Sequence, residues 1–312
     1  MIVSVTPNPS FDRTVSVGAL EPGEVHRISA VTTEAGGKGI NVARAIARSG
    51  AKSRCVFPAT ATDAIAFAEL LADTDHLEQY PVGTGTSIRT NITIVETDGR
   101  TTKLNEPGEH FDDERQAQLV EAVVAASADA EWVAICGSLP PGVAPDFANR
   151  LGQRLPDSAK LAIDASGEAL LSAVTNGCDL IKPNHEELVS VAGRPLPTVG
   201  DVLDAASEIQ RGGVATVLVS LGSTGALLVT DAEPLFGTAP AATVQNTVGA
   251  GDAFLAGFLA GGGFGGEALA EALSWGRAAV ASASTAFPPA AEADRAAVMI
   301  SSEIDRTLQV EG

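Results

Sequence analysis

The chain has 312 residues with 20 Lys and Arg against 39 Asp and Glu, a formal charge of −19 at pH 7. That balance excludes any role built on a basic surface, such as gripping nucleic acid or an anionic membrane face, while leaving room for a locally positive pocket that takes a small anion. With 45% hydrophobic and 19% charged residues the chain is a folded globular protein rather than a disordered one, long enough for one large core or two smaller ones.

From the N-terminus, short β-branched runs alternate with Ala- and Leu-rich helical patterns, which predicts an α/β fold on a largely parallel sheet. Met1–Ser10 lacks a basic stretch followed by an apolar one and reads as a strand, Ile2–Thr6, ending at Pro7. A helix follows over Gly39–Ser49, where Ile40, Ala43, Ile46 and Ala47 recur at helical spacing, then a strand over Arg54–Pro58. Two stretches break the rhythm, Phe11–Thr33 and Thr86–Glu106. In the second, the alternating run Ser87–Val95 and Thr101–Leu104 flank Asp98-Gly99, a strong hairpin signal. Such a hairpin leaves the core to form its own sheet, so the expected division is an α/β core (1–10, 34–85, 107–312) carrying a β-sheet lid (11–33, 86–106). Further on come a helix at Asp113–Ala126, strands at Trp132–Cys136, Leu161–Asp164 and Leu180–Lys182, and a helix at Val202–Gln210. Strands at Thr216–Ser220 and Ala226–Thr230 precede helices at Asp252–Ala260 and Ala268–Ser284. The uncharged runs Gly212–Thr230 and Pro234–Gly251 are too broken by Gly, Pro and polar residues to span a bilayer. Cys55, Cys136 and Cys178 show no metal-ligand spacing and read as small buried residues in a reducing, cytoplasmic setting.

Four strings carry chemistry. Asn246-Thr247-Val248-Gly249-Ala250-Gly251-Asp252 runs straight into an apolar helix. Its glycines let the backbone approach a ligand, the first helical N–H groups form an anion hole, and Asp252 stands where a carboxylate can take a hydroxyl proton. The plain alternative is an Asp that merely caps the helix. Gly36-Gly37-Lys38-Gly39-Ile40-Asn41 opens another helix and is not a Walker loop, since Lys38 precedes Gly. A glycine shelf suits a polyol, Asn41 can bond its hydroxyls, and Lys38, one of five lysines, offers charge to a phosphate. Lys182-Pro183-Asn184-His185-Glu186-Glu187 and Ser220-Leu221-Gly222-Ser223-Thr224-Gly225 each follow a strand, where α/β proteins bind ligands. Asn184 and Glu187 can orient waters around Mg²⁺, or else form a capping box; His185 is incidental. Gly261–Gly266 matches G-x-G-x-x-G but follows a helix, so it reads as a loop rather than a dinucleotide site.

Together these strings resemble the ribokinase-like (phosphofructokinase B) carbohydrate kinase superfamily over essentially the whole chain: Gly36–Arg44 is similar to its N-terminal glycine signature and Asn246–Gly257 to its C-terminal one. Thr6–Thr14 and Cys136–Gly142 resemble the hexose-phosphate branch, which covers 1-phosphofructokinases, tagatose-6-phosphate kinases and the minor bacterial 6-phosphofructokinases, and Asn8-Pro9-Ser10 with Asp12-Arg13-Thr14 leans to the first of these. Phe11, in place of a smaller aliphatic, and Cys136, in place of Ser, depart from the pattern; Phe11 is expected to face the lid core. The resemblance implies a three-layer α/β/α sandwich with an inserted lid. It implies ATP and Mg²⁺ as cofactors and fructose 1-phosphate as the acceptor, with tagatose or fructose 6-phosphate as alternatives; a non-catalytic ATP or sugar-phosphate sensor is the reading from another class. By the resemblance Asp252 is the base and Gly249, Ala250 and Gly251 the anion hole. Asp12, Gly37, Lys38, Asn41, Arg89 and Ser138 hold the sugar phosphate. Lys182, Asn184, Ser220, Gly222 and Gly225 serve ATP, and Asn184 and Glu187 hold the metal through water. Ile88, Ile92, Ile94 and Leu104 cannot all be covered by one hairpin, so a homodimer through the lid is expected, in which Arg27 reaches the neighbour's phosphate.

Overall fold

The computed structural model describes residues 1–240, 243–282 and 288–311. In chain order its elements are β1 (Ile2–Val5), β2 (Ser10–Val17), β3 (Ala30–Gly36), α1 (Lys38–Arg48), β4 (Ser53–Pro58), α2 (Ala61–Leu70), β5 (Leu77–Val82), β6 (Arg89–Glu96), β7 (Thr101–Asn105), α3 (Asp113–Ala126), β8 (Trp132–Cys136) and α4 (Phe147–Gly152). They continue with β9 (Lys160–Asp164), α5 (Gly167–Asn176), β10 (Cys178–Ile181), α6 (His185–Ala192), α7 (Val199–Arg211), β11 (Val214–Ser220), β12 (Ala226–Val229), β13 (Leu235–Thr238), α8 (Ala250–Ala260), α9 (Gly265–Val280), α10 (Glu292–Ala296) and β14 (Met299–Ser301).

The larger sheet has ten strands among the described residues, in the order β14-β13-β12-β11-β10-β9-β8-β1-β4-β5. From β5 to β11 every pairing is parallel, and β12, β13 and β14 extend that edge antiparallel. Successive strand residues alternate between two cores. Val3, Val5, Val133, Ile135 and Ile163 pack with α3, α4, α5 and α7, whereas Ile2, Trp132, Ala134 and Ala162 pack with α1, α8 and α9. A sheet apolar on both faces needs a helical layer on each, which gives the three-layer sandwich. No helix among the described residues is long and apolar enough to cross a membrane.

The second sheet, β3-β2-β6-β7, stands apart. The β6–β7 hairpin turns at Gly99 in the left-handed region (φ +88°), as Asp98-Gly99 predicts. The pairing of β2 with β6 is parallel, joining the two inserted segments side by side with Asp12 opposite Asn91. Lid strands begin at Ser10 and run to Gly36, a few residues beyond the expected edges. Phe11 does not sit inside the lid as expected: it meets Phe67 of α2 edge to face, 5.0 Å between ring centres, and so pins the lid to the large domain. Ile88 joins the same cluster and is buried.

Cys55 and Cys136 are buried as expected, but Cys178 is only partly so; burial nonetheless pushes the thiols of Cys55 and Cys178 up to about 12. The last predicted helix begins at Gly265 and is described to Val280, and its expected end at Ser284 lies outside the described residues. Gly261–Gly266 joins α8 to α9, and Gly263 (φ +75°) leaves room for the Trp132 indole, which a Cβ would meet at 2.5 Å.

Candidate active site

A cleft of about 1010 Å³ opens at the C-terminal ends of the parallel strands, under the lid. One wall is the start of α1. Gly37 has φ +120° and a Cβ there would lie 2.6 Å from Thr6 Cγ2; one on Gly39 would lie 2.8 Å from the Val5 carbonyl oxygen. Only glycine lets the helix start press so closely on β1, and Lys38 and Asn41 project from that shelf into the cleft.

Facing it, α8 opens on Gly249 in the left-handed conformation (φ +81°), with no side-chain cap. Asp252 is the third residue of this helix, so the capping alternative is set aside. Its carboxylate instead accepts a hydrogen bond from Asn41 Nδ2 at 2.8 Å, across 211 residues of chain. The N–H groups of an uncapped first turn seek an anion, and the helix dipole adds to the attraction.

Asp164, at the end of β9, is fully buried and sits between two cations: Lys38 Nζ at 3.0 Å and Lys182 Nζ at 3.4 Å. Burial, and then the field of Asp164, push the Asp252 carboxyl up to about 6, against the hydrogen bond from Asn41 and the charges of Lys38 and Lys182. Burial works against the Lys38 ammonium too, but Asp164 and Asp252 outweigh it and hold it charged, above its usual range. Lys38 therefore stands at the same end of the cleft as Asp252.

On the lid side, the Asp12 carboxylate is fixed by Ser10 Oγ (2.7 Å) and Asn91 Nδ2 (3.0 Å). Arg89, whose pKa burial draws down, donates to the Glu106 carbonyl oxygen (2.7 Å), and Ser138 accepts from Asn8 Nδ2 (3.3 Å). Thr6 Oγ1, Asn41 Oδ1 and Asn91 Oδ1 are buried with no hydrogen-bond partner among the described residues. Their hosts line one cleft, and three unpartnered acceptors there fit a hydroxyl-rich ligand.

Asn184, Ser220, Gly222 and Gly225 line the same cleft, as does Lys182 beside Asp164, with Val244, Val248 and Phe254 as an apolar wall. Asn184 and Glu187 form a capping box at the start of α6: Glu187 N–H donates to Asn184 Oδ1 (2.7 Å) and Asn184 N–H to Glu187 Oε2 (2.9 Å). The box leaves Glu187 Oε1 over at the cleft wall. No cluster of three metal-ligating side chains occurs among the described residues; one carboxylate and an amide fit a hydrated Mg²⁺ carried in on phosphate oxygens rather than a protein cage. The His185 ring is bonded to the Leu196 carbonyl oxygen (2.8 Å).

All the site residues named from the sequence line this one cleft; sequence reasoning missed Thr6 and Asn91, the hosts of two of the three orphaned atoms, and the supporting Asp164 and Glu106. Asp164 had a faint signal, a carboxylate closing an apolar parallel strand. Arg277 and Glu311 also line the cleft and had none.

Residues 6–287 match the model of the pfkB family of carbohydrate kinases. The chain is 36% identical over 266 residues to a 1-phosphofructokinase of Rhodobacter capsulatus, covering 83% of this chain and 82% of the relative. Its fold superimposes on phosphofructokinase-2 of Escherichia coli in complex with substrates and products, at TM-score 0.84 and 31% identity, covering 95% and 97% of the two chains. It matches a tetrameric inhibited form of that enzyme at TM-score 0.82 and 32% identity, covering 95% and 96%.

Proposed function

The chain belongs to the pfkB family of carbohydrate kinases, ATP-drawing enzymes, and from that premise we propose that it phosphorylates fructose 1-phosphate to fructose 1,6-bisphosphate. The observation that carries the chemistry is Asp252: a buried carboxylate in the first turn of an uncapped, glycine-led helix, with a pKa of about 6. A general base works best with its pKa near the working pH. Ionised Asp252 takes the proton of the acceptor's primary hydroxyl as that oxygen bonds to the γ-phosphorus of ATP. The bond from the γ-phosphorus to its bridging oxygen breaks, and ADP leaves with the electron pair. Asn41 holds one oxygen of the base and leaves the other for the hydroxyl. The helix start at Gly249, Ala250 and Gly251 meets the charge building on the transferred group.

Asp12, Gly37, Asn41 and Ser138 hold the sugar. Lys38, tied to Asp164 beside the base, serves the phosphoryl group in transit rather than the sugar's own phosphate, which falls to Arg89 on the lid. Lys182, Asn184, Ser220, Gly222 and Gly225 receive ATP. Asn184 and Glu187 would hold Mg²⁺ through water, where the ion would supply positive charge to the phosphates. Three free thiols suit the cytoplasm, and the lid's outer face suits a second copy of the chain.

The Asn-Pro-Ser-x-Asp-Arg-Thr opening and the Rhodobacter relative support fructose 1-phosphate. The likeness to phosphofructokinase-2 of Escherichia coli in complex with fructose-6-phosphate favours that sugar as the second reading, because fructofuranose carries primary hydroxyls at both ends and either can face the base. Turnover with ATP on fructose 1-phosphate, fructose 6-phosphate and tagatose 6-phosphate decides: kcat/KM is expected to be highest on the first, and a higher value on another reassigns the acceptor. On the best acceptor, Asp252→Asn should lower kcat by about 10²–10⁴-fold, and turnover near that of the unaltered chain would remove Asp252 as the base.

A further inference from the structure

The turn between β11 and β12 is gripped from outside by the segment 306–311, and we propose that this segment is a clasp that sets the turn for ATP, with Glu311 as its positioning residue. The proposal rests on the kinase reading above, since the turn matters only if a nucleotide lies against it.

The two legs of the turn are fixed by the large sheet. Ser220 N–H donates to the Pro183 carbonyl oxygen (3.1 Å). Gly225 (φ +132°) lies so close to β13 that a Cβ would come within 2.3 Å of the Gly237 carbonyl oxygen. The tip, Gly222–Thr224, is a single 3-10 turn with no buried residue. Nothing in the core holds it, and an unsupported glycine-led tip pays ordering entropy each time a ligand binds.

Two bonds from Glu311 supply the missing support. Ser223 Oγ donates to Glu311 Oε2 at 2.7 Å, and Glu311 N–H donates to Thr224 Oγ1 at 3.0 Å. Glu311 does not reach the tip from a loose strand. Its segment runs along the start of α7, with Gly200 N–H to the Arg306 carbonyl oxygen (3.0 Å), Val199 N–H to that of Leu308 (2.9 Å) and Val310 N–H to that of Pro197 (2.9 Å). Gly200 permits the contact, because a Cβ there would lie 2.7 Å from the Arg306 oxygen. Arg306 adds an ion pair to Asp204 at 2.7 Å. The grip is thus preorganised, and Glu311 itself forms part of the cleft wall. The family match ends at residue 287, so the clasp lies outside the stretch common to the family model.

Calorimetry of ATP binding without sugar, alongside KM for each substrate, tests the clasp. E311A should weaken ATP binding by about 5-fold, the loss of one preorganised bond to a charged group, while the sugar-phosphate KM stays within about two-fold. E311Q keeps an acceptor for Ser223 and should bind ATP nearly as the unaltered chain does. S223A should match E311A, and the double variant should be no worse than either. Unchanged or tighter ATP binding in E311A, equal losses for both substrates, or additive losses in the double variant would each overturn the clasp. ATP binding with the expected variant pattern but no turnover on any sugar phosphate would instead remove the kinase reading and leave the clasp standing.

Discussion

The buried carboxylate of Asp164 holds two lysines and puts a second carboxylate, Asp252, in its field. Burial first, and then the like charge of Asp164, raise the pKa of Asp252, the carboxylate proposed as the base. Asp252 must be ionised to accept a proton, so kcat/KM should rise as pH climbs through about 6 and fall away below it. Asp164→Asn removes the like charge, which moves that acid limb to lower pH, and frees Lys38 and Lys182, which should cost about 10-fold or more in kcat by misplacing charges at the reacting end. A pH–rate profile from pH 4.5 upward checks both; an acid limb left in place would mean that burial alone sets the base. Nothing local in the sequence could reveal this pairing, because Lys38 and Asp164 stand 126 residues apart. Asp252 was legible for the opposite reason: its glycines and its helix are its immediate neighbours.

The same distinction separates elements that could be read from those that could not. β8 is apolar at all its positions, because a parallel strand is buried on both faces, and its ends are plain in the sequence. β5 is an edge strand, Leu-Glu-Gln-Tyr-Pro-Val, half exposed and interrupted by Pro81, and has no such signature. The β6–β7 hairpin shows in its turn, whereas the parallel contact of β2 with β6 is a long-range pairing that neither strand announces. Register now puts Val31, Val15 and Ile94 in one row across the lid and Ile92 beside Leu104 in the next, on the face opposite Asp12 and Asn91. Val31 and Leu104 remain 47% and 53% exposed. If a second lid covers this face, Ile94→Asp should give monomers by sedimentation, with weaker sugar-phosphate binding because the lid loses its brace. An unaltered chain that sediments as a fully active monomer would leave the lid an intramolecular cover.

At the scale of the molecule, a chain of charge −19 binds two anionic substrates. Lys38, Lys182 and Arg89, the cations proposed to receive them, line the cleft, while the surrounding field repels ATP at a distance. Screening shortens that field to about 10 Å at 0.1 M salt and leaves buried pairs nearly untouched. Raising ionic strength from about 10 to 150 mM with an inert salt should therefore increase kcat/KM for ATP, and a decrease would show that the cleft's own charges dominate the approach. The order of the large sheet also governs when the protein comes into being. β1 lies inside the sheet between β4 and β8, and the bond from Asn41 to Asp252 closes only after most of the chain exists. At ~5–20 residues per second on the ribosome, the 211 residues between those partners take roughly 10–40 s to make. Throughout that interval the glycine shelf stands without Asp252, so if Asp252 is the base, as proposed, the nascent chain cannot spend ATP before its own sheet is nearly complete.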